Sequence, residues 1–278
     1  LVIGPWRHSG VNYDGSSLGP LSFSGDTALE FRQTVEKPFL DHYLKDGAPP
    51  ADTPPVLTYA TGINRWERSD HWPVGATTPL YLGSGHELGF DAPAAAGQDS
   101  YVSDPANPVP FLPRPIHTRD ALVWKPWLVS DQRFVAGRQD VLSYTGAPLT
   151  APVHIAGAPQ VDLYAATSGS DSDWVVKLID VYPAENSAQA VLAGYQLPIG
   201  IEIFRGRYLN SFEHPAALVP GAVNRFRFTL PNVNHVFRPG HRLMVQVQSS
   251  LFPLYDRNPQ RYVPNIFNAA PGDYQRAT

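Results

Sequence analysis

The sequence predicts two architectures in series, an α/β segment over residues 1–75 and an all-β sandwich of the jelly-roll type over residues 76–278. A strand, helix, strand pattern in the first sixty residues indicates the α/β part. Beyond Trp72 the apolar residues alternate with a period of two, which is typical of strands. The 29 prolines and 22 glycines disfavour long helices and suit short strands joined by turns. A chain of 278 residues is long enough for two domains.

Two short strands are predicted in the α/β segment. Leu1–Ile3 is apolar and runs into a Gly-Pro-Trp turn at residues 4–6, which delivers His8 at its tip. Residues 55–60 form a second apolar run of strand length. A titratable side chain on a loop at the carboxyl end of a core strand is where α/β enzymes keep catalytic groups. The sequence therefore marks His8 as a candidate catalytic residue.

Between these strands a helix is predicted over residues 27–45, because apolar side chains recur there at helical spacing. Asp26 is a suitable N-cap, and Gly47 is a suitable stop signal. Pro38 cannot sit inside an undisturbed helix. It is expected either to kink the helix or to begin a second short helix in its first turn.

The sandwich strands are predicted from alternation. Residues 174–181 are apolar on nearly both faces, as in a central strand that is covered on each side. Residues 85–135, rich in Pro, Gly, Asp and Ser, are expected to form a long irregular wrap of a kind that is often functional or interface-forming. The remaining predicted strands are residues 79–82, 199–203, 225–230 and 243–248.

Composition excludes several function classes. A net charge of -4 gives no support for binding to nucleic acid or to an anionic membrane. No apolar run approaches the roughly 20 residues of a membrane helix. The absence of cysteine excludes disulfides, thiolate nucleophiles and cysteine-based metal sites. The histidines show no metal-ligand spacing, so neither a metal nor a cofactor is predicted. The chain opens inside an apolar strand, and we expect it to be the back part of a larger protein.

His8 has two interpretations. An isolated histidine is more often structural than catalytic, but its position on a Gly/Pro turn after a strand supports a catalytic role equally well. A neutral imidazole at that point could act as general base to a serine.

A serine motif lies close to His8. Gly15–Gly19 matches the G-x-S-x-G pattern of a nucleophile elbow, with Ser17 at its centre. That elbow needs a buried strand before the serine and a helix directly after it. Here a polar segment, residues 11–14, precedes the motif and Pro20 follows it. The motif is therefore interpreted as a loop, and Ser17 is not the predicted nucleophile.

Two acidic segments have competing interpretations. Asp171 and Asp173 precede a strand, where they could either bind calcium or form a polar turn, and the polar turn is favoured. Asp256 and Arg257 follow an apolar run. The favoured interpretation is a buried ion pair that fixes a loop, and the alternative is a place beside an active site.

The segment Gly4-Pro-Trp-Arg-His8 resembles the X-Pro dipeptidyl-peptidase / cocaine-esterase family of serine hydrolases, in which this histidine is the triad base. Within the family, residues 7–20 look most similar to the α-amino-acid ester hydrolases, close relatives of the glutaryl-7-aminocephalosporanic acid acylases. Further segments carry the resemblance, in order, along nearly the whole chain: Asn64–Glu67, Trp72–Pro73, Tyr101–Pro110, Asp140–Tyr144, Lys177–Pro183 and Ser249–Asn258.

The resemblance implies the C-terminal piece of an α/β-hydrolase domain followed by a galactose-binding-like jelly roll. It also implies that the nucleophilic serine, the triad aspartate and the amine-binding carboxylates precede residue 1, so that only His8 carries over as catalytic. The expected whole protein is a bacterial periplasmic or secreted homo-oligomer that hydrolyses α-amino-acid esters and acylates β-lactam nuclei. A glutaryl-7-aminocephalosporanic acid acylase, a cocaine-esterase-like enzyme and an X-Pro dipeptidyl-peptidase remain open. So does a non-enzymatic binding module, if no upstream serine exists. This chain alone is expected to be inactive.

Overall fold

A computed structural model describes residues 1–72, 76–117 and 125–278. The N-terminal part contains strands β1 to β5 and two α-helices joined by a π-helical turn. In chain order these are β1 (Val2–Ile3), β2 (Ser17–Leu18), β3 (Leu21–Ser22), α1 (Thr27–Phe31), the π-helical turn (Arg32–Glu36), α2 (Lys37–Leu44), β4 (Val56–Ala60) and β5 (Arg65–Ser69).

The predicted helix is present, and its ends are where the sequence placed them. The Asp26 carboxylate accepts hydrogen bonds from the backbone N–H of Leu29 at 2.9 Å and of Gly15 at 2.8 Å. These bonds lower the pKa of Asp26. Pro38 lies in the first turn of α2, where a missing N–H costs least. Across the described residues, the helices are too short or too polar to span a bilayer.

The first three-stranded sheet has the order β1-β4-β5. β1 pairs in parallel with β4, placing Val2 opposite Leu57, and β4 pairs in antiparallel fashion with β5. A parallel pair separated by helices is the connection that the alternating pattern predicted. Strand β5 was not predicted, because its arginine, glutamate and serine residues hide the alternation.

The remaining strands form a β-sandwich. A four-stranded antiparallel sheet, ordered β12-β11-β15-β8, faces the two pairs β10-β13 and β14-β9, and β6-β7 is a small hairpin at the side. The strands are β6 (Tyr81–Leu82), β7 (Leu88–Gly89), β8 (Leu142–Thr145), β9 (Val153–Gly157), β10 (Gln160–Ala165), β11 (Asp173–Val181), β12 (Gln196–Arg205), β13 (Asn224–Thr229), β14 (Val233–Phe237) and β15 (Arg242–Gln248).

Strand β11 is buried on both faces, as predicted. Trp174 and Leu178 point into the core between the two layers, where Trp174 packs on Phe226 with ring centroids 4.0 Å apart. Val175 points to the other face and is covered by Leu251 and neighbouring loop residues. Much of the irregular wrap therefore covers the outer face of this sheet. Its residues 118–124 lie outside the described part of the chain.

The sandwich and the N-terminal sheet meet at the end of β4. Thr61 bridges to His235 of β14, and its backbone N–H donates to the Asn234 carbonyl at 3.1 Å. Gly62 follows with a φ of +85°, and a Cβ there would lie 2.1 Å from the Val236 carbonyl oxygen. Only glycine fits this approach. The predicted boundary at 75/76 falls on residues 73–75, outside the described residues, and remains a prediction.

Candidate functional site

His8 lies exposed on the turn that follows β1. The next residue, Ser9, has a left-handed φ of +60° and begins a 3₁₀ turn over Gly10–Asn12. The Gly10 N–H donates to the Arg7 carbonyl at 2.8 Å, which closes the turn. A non-glycine residue in this conformation is uncommon and is often found at functional sites.

Trp6 anchors the turn. Its ring lies 5.3 Å from the ring of Phe31 and 5.8 Å from that of Trp66, and its Nε1–H donates to Thr27 Oγ1 at 2.9 Å. A Cβ at position 4 would lie 2.5 Å from the Trp6 ring, which explains Gly4. The Gly-Pro-Trp sequence thus fixes the turn against the helix and β5, and leaves the imidazole two residues later exposed.

The segment that leaves the turn is tied to the same helix. Thr27 Oγ1 donates to the Gly15 carbonyl at 2.7 Å. The Arg32 guanidinium donates to the carbonyls of Val11 and Tyr13, the latter at 3.1 Å. Both ends of the His8 loop are therefore held by hydrogen bonds to the same helical segment.

Ser17 does not occupy a nucleophile elbow. It lies exposed in β2, which forms a hairpin with β3 and pairs Ser17 with Ser22. No helix follows it, because residues 19–20 form the hairpin turn. Ser17 is therefore not in a nucleophile elbow, but the motif lies in a β-hairpin and not in the loop that the sequence predicted.

Among the described residues, His8 lies without the serine and carboxylate that would complete a triad. Within this described part of the chain, no side chain hydrogen-bonds to its imidazole, and no group of three His, Cys, Asp or Glu residues could hold a metal ion. One surface cleft of about 560 Å³ is lined by Arg114–Ile116 and Phe252–Pro253. A second, of about 530 Å³, lies around Tyr101 and Arg138. His8 lies in neither cleft.

The first acidic segment, Asp171 and Asp173, is structural. Asp171 is fully buried and accepts two hydrogen bonds from the Arg207 guanidinium, at 2.6 and 2.8 Å. Asp173 accepts from Asn258 Nδ2 at 2.8 Å, and burial raises its pKa to about 7 although the Arg205 guanidinium opposes this. The preference for a polar turn over a calcium loop is consistent with this pairing.

The predicted ion pair between Asp256 and Arg257 is wrong. Asp256 is exposed. Arg257 instead donates to the Pro105 carbonyl at 2.8 Å and lies over the rings of Phe252 and Tyr274, 5.4 and 5.0 Å from their centroids. Cation–π contacts therefore fix this loop. Among the described residues, no carboxylate pairs with the Arg257 guanidinium.

Sequence reasoning missed a buried polar cluster in the sandwich. Asp180 accepts hydrogen bonds from His235 Nε2 at 3.1 Å and from His241 Nδ1 at 2.8 Å. Burial by itself raises the pKa of Asp180, but these bonds and the charge of the two histidines lower it below its usual value. A carboxylate in an otherwise apolar strand must be paired, and that signal could have predicted a partner but not which one.

Comparison with known proteins supports a family assignment. The family model of the X-Pro dipeptidyl-peptidase C-terminal non-catalytic domain matches residues 49–272, and His8 lies before the matched part. The chain is 34% identical over 272 residues to a cocaine esterase from Rhodococcus sp. (strain MB1 Bresler), covering 93% of this chain and 45% of that protein. It thus spans about half the length of this relative.

Two solved structures resemble the chain over nearly its whole length. An α-amino acid ester hydrolase labelled with selenomethionine is 60% identical, with a TM-score of 0.98 over 100% of this chain and 47% of that one. An aminopeptidase from the marine sediment archaeon Thaumarchaeota archaeon is 52% identical, with a TM-score of 0.96 over 99% of this chain and 46% of that one. The chain belongs to the family of the X-Pro dipeptidyl-peptidase C-terminal non-catalytic domain, found in serine hydrolases and esterases.

Proposed function

We propose that the chain is the C-terminal portion of a serine hydrolase acting on α-amino-acid esters, and that His8 is its triad histidine. The observation that carries the proposal is the exposed imidazole on a turn fixed by Trp6, in a chain 60% identical to an α-amino acid ester hydrolase. On this proposal the N-terminal sheet is the last part of an α/β-hydrolase domain, and the sandwich is its jelly-roll companion.

The chemistry follows from an exposed histidine whose turn is held rigidly. A serine Oγ from the preceding part of the polypeptide attacks the ester carbonyl while one ring nitrogen of His8 takes its proton, and the same nitrogen then protonates the leaving alcohol. A carboxylate from that preceding part would hold the other ring N–H and stabilise the imidazolium. The acyl-enzyme is released to water, or to the amine of a β-lactam nucleus, in which case an amide forms.

The whole protein is proposed to be a bacterial periplasmic or secreted homo-oligomer in which the N-terminal catalytic part precedes this chain. Helix α2 supports such a partner segment, because it buries no residue and exposes Phe39, Leu40, Tyr43 and Leu44. Apolar patches of this kind mark contact surfaces.

A second candidate is hydrolysis of an amide bond at a free amino terminus. The similarity to a solved aminopeptidase at 52% identity favours it over the remaining alternatives, which are a glutaryl-7-aminocephalosporanic acid acylase, a cocaine-esterase-like enzyme and an X-Pro dipeptidyl-peptidase. The same serine and His8 would serve, since both reactions pass through an acyl-enzyme.

The test compares the full-length protein with its H8A variant. Substrates are an α-amino-acid methyl ester, an aminoacyl anilide, a benzoyl ester and an Xaa-Pro anilide, and acyl transfer to a β-lactam amine is assayed in parallel. H8A is expected to lose about 10³-fold or more in kcat, because triad members act as a unit. The matched control is H214A, at an exposed histidine of the sandwich. Turnover by H8A within a few-fold of the control would refute the assignment, and the preferred substrate separates the candidates.

A further inference from the structure

Asn234 of β14 connects the sandwich to the sheet that carries His8. It is 9% exposed, and its Nδ2 donates to Thr58 Oγ1 of β4 at 2.8 Å and to Glu67 Oε2 of β5 at 3.1 Å. Its Oδ1 accepts from His154 Nε2 of β9 at 2.6 Å. One buried amide therefore joins four strands from both parts of the chain, and its donors serve the N-terminal sheet alone.

The strands that Asn234 contacts lead directly to the His8 turn. Thr58 lies opposite Ile3 in the parallel pair of β4 and β1, and His8 follows Ile3 after four residues. Trp66 lies on the opposite face of β5 and contacts the Trp6 ring that anchors the turn. A shift of β4 or β5 against the sandwich would thus move both the strand before His8 and the side chain that holds its turn.

Strand β14 is itself held firmly. His235, the next residue, joins Thr61 Oγ1 through Nδ1 at 2.8 Å and the buried Asp180 of β11 through Nε2 at 3.1 Å. Because adjacent residues of a strand point to opposite sides, Asn234 faces the N-terminal sheet while His235 faces the sandwich core. The amide of Asn234 is therefore presented from a rigid support.

We propose that Asn234, in the domain described as non-catalytic, is a positioning residue for His8. This rests on the proposed function of His8. The physical reason is that general-base catalysis requires the imidazole to lie within hydrogen-bond reach of the serine, and a displacement of about 1 Å can cost roughly 100-fold in rate. Asn234 acts by fixing β4 and β5, and it does not touch the substrate.

The decisive variant is N234D in the full-length enzyme. It keeps the size of the side chain and an acceptor for His154, but it places a carboxylate against that of Glu67. Repulsion is expected to loosen β5 and to lower kcat about tenfold with KM changed less than about twofold, a shift within the range expected from misplaced reacting groups. Adding E67Q restores an amide–carboxylate hydrogen bond with the two partners exchanged. The double variant is expected to recover to within about threefold of the wild type.

A matched control separates positioning from loss of stability. N258D makes the same chemical change beside a buried carboxylate, Asp173, but Asn258 hydrogen-bonds only within the sandwich. It is expected to destabilise the protein while leaving kcat within about twofold. T58V, which removes the hydroxyl that receives the Asn234 bond, is the milder second variant if N234D does not fold.

Backbone hydrogen exchange of the peptide covering residues 1–14 gives a readout that is independent of activity. The proposal expects faster exchange there in N234D and T58V, wild-type exchange in N258D, and reversal in N234D with E67Q. Faster exchange with unchanged kcat, together with an active H8A, would show that the coupling exists and that His8 is not the base. Unchanged exchange and kcat in both N234D and T58V, or equal loss of kcat in N258D, would overturn the proposal itself.

Discussion

Lys177 is buried, which is rare for a lysine side chain. It is fully buried on the outer face of β11, and its Nζ donates to Gln132 Oε1 at 2.8 Å. Burial lowers its pKa to about 7. Gln246, directly opposite on β15, is also fully buried. The sequence pattern placed Lys177 in an apolar strand correctly, but only the covering loop that carries Gln132 decides that the amine is sealed from water.

This burial makes stability depend on pH in a defined window. The pKa of Lys177 is about 7 in the folded state and near 10.5 when unfolded, so between these values the unfolded chain binds more protons and stability rises with pH. From pH 7 to pH 10 this contribution amounts to roughly 3 kcal/mol. K177M is expected to abolish that rise, whereas K45M, at an exposed lysine, retains it. Denaturant titrations at both pH values measure the free energy of unfolding. An equal rise in that free energy for K177M and wild type would contradict the prediction.

At the scale of elements, one backbone position, Gly62, brings the hairpin of β4 and β5 close to β14. Gly62 combines a φ of +85° with a Cβ direction that points at the Val236 carbonyl. Gly47, after α2, has a similar φ of +74° with nothing within 4 Å of the same position. These two glycines therefore separate the cost of a left-handed conformation from the cost of a steric clash.

G62A is expected to lower stability by at least about 1 kcal/mol more than G47A, because the clash forces the hairpin away from β14. Thermal unfolding of both variants measures the difference. Hydrogen exchange of residues 56–69 should also rise in G62A alone. Equal melting temperatures for the two variants would show that the close contact between Gly62 and β14 does not limit stability.

At the scale of the whole molecule, helix α2 has no buried residue in the described part of the chain. Its Tyr43 is 67% exposed, nearly the same as Tyr164 on β10 at 63%. If the preceding catalytic part of the polypeptide packs on α2, Tyr43 must be less exposed than Tyr164 in the full-length protein, although the two exposures are nearly equal here.

Hydroxyl-radical footprinting of the full-length protein tests this difference. Tyr43 is expected to be modified several-fold more slowly than Tyr164, since an apolar helix face in contact with a domain excludes solvent. The two side chains are of the same type, so their intrinsic reactivity cancels. Equal modification rates would place the upstream part elsewhere on the surface.

Local sequence patterns predict much of the fold. The alternation in β11, the cap at Asp26 and the proline in the first turn of α2 each depend on residues within a few positions of one another. The proposal of His8 has a similar local origin, since it came from a turn beside a strand. Strand β5 escaped because most of its residues are polar and exposed, and its long-range polar contact between Glu67 and Asn234 is invisible in the local pattern.

The sequence by itself predicted the opening strand, helix and strand, part of the sandwich strands, the family resemblance and the residue proposed to carry the chemistry. The tertiary structure alone decided which buried polar groups meet. Asn234 reaches Thr58 across 176 positions of sequence, and Asp180 reaches His235 across 55. The physical reason is that helix and strand periodicity arise from backbone geometry within a segment. A buried hydrogen bond instead depends on how two completed elements approach each other, and no local pattern encodes that distance.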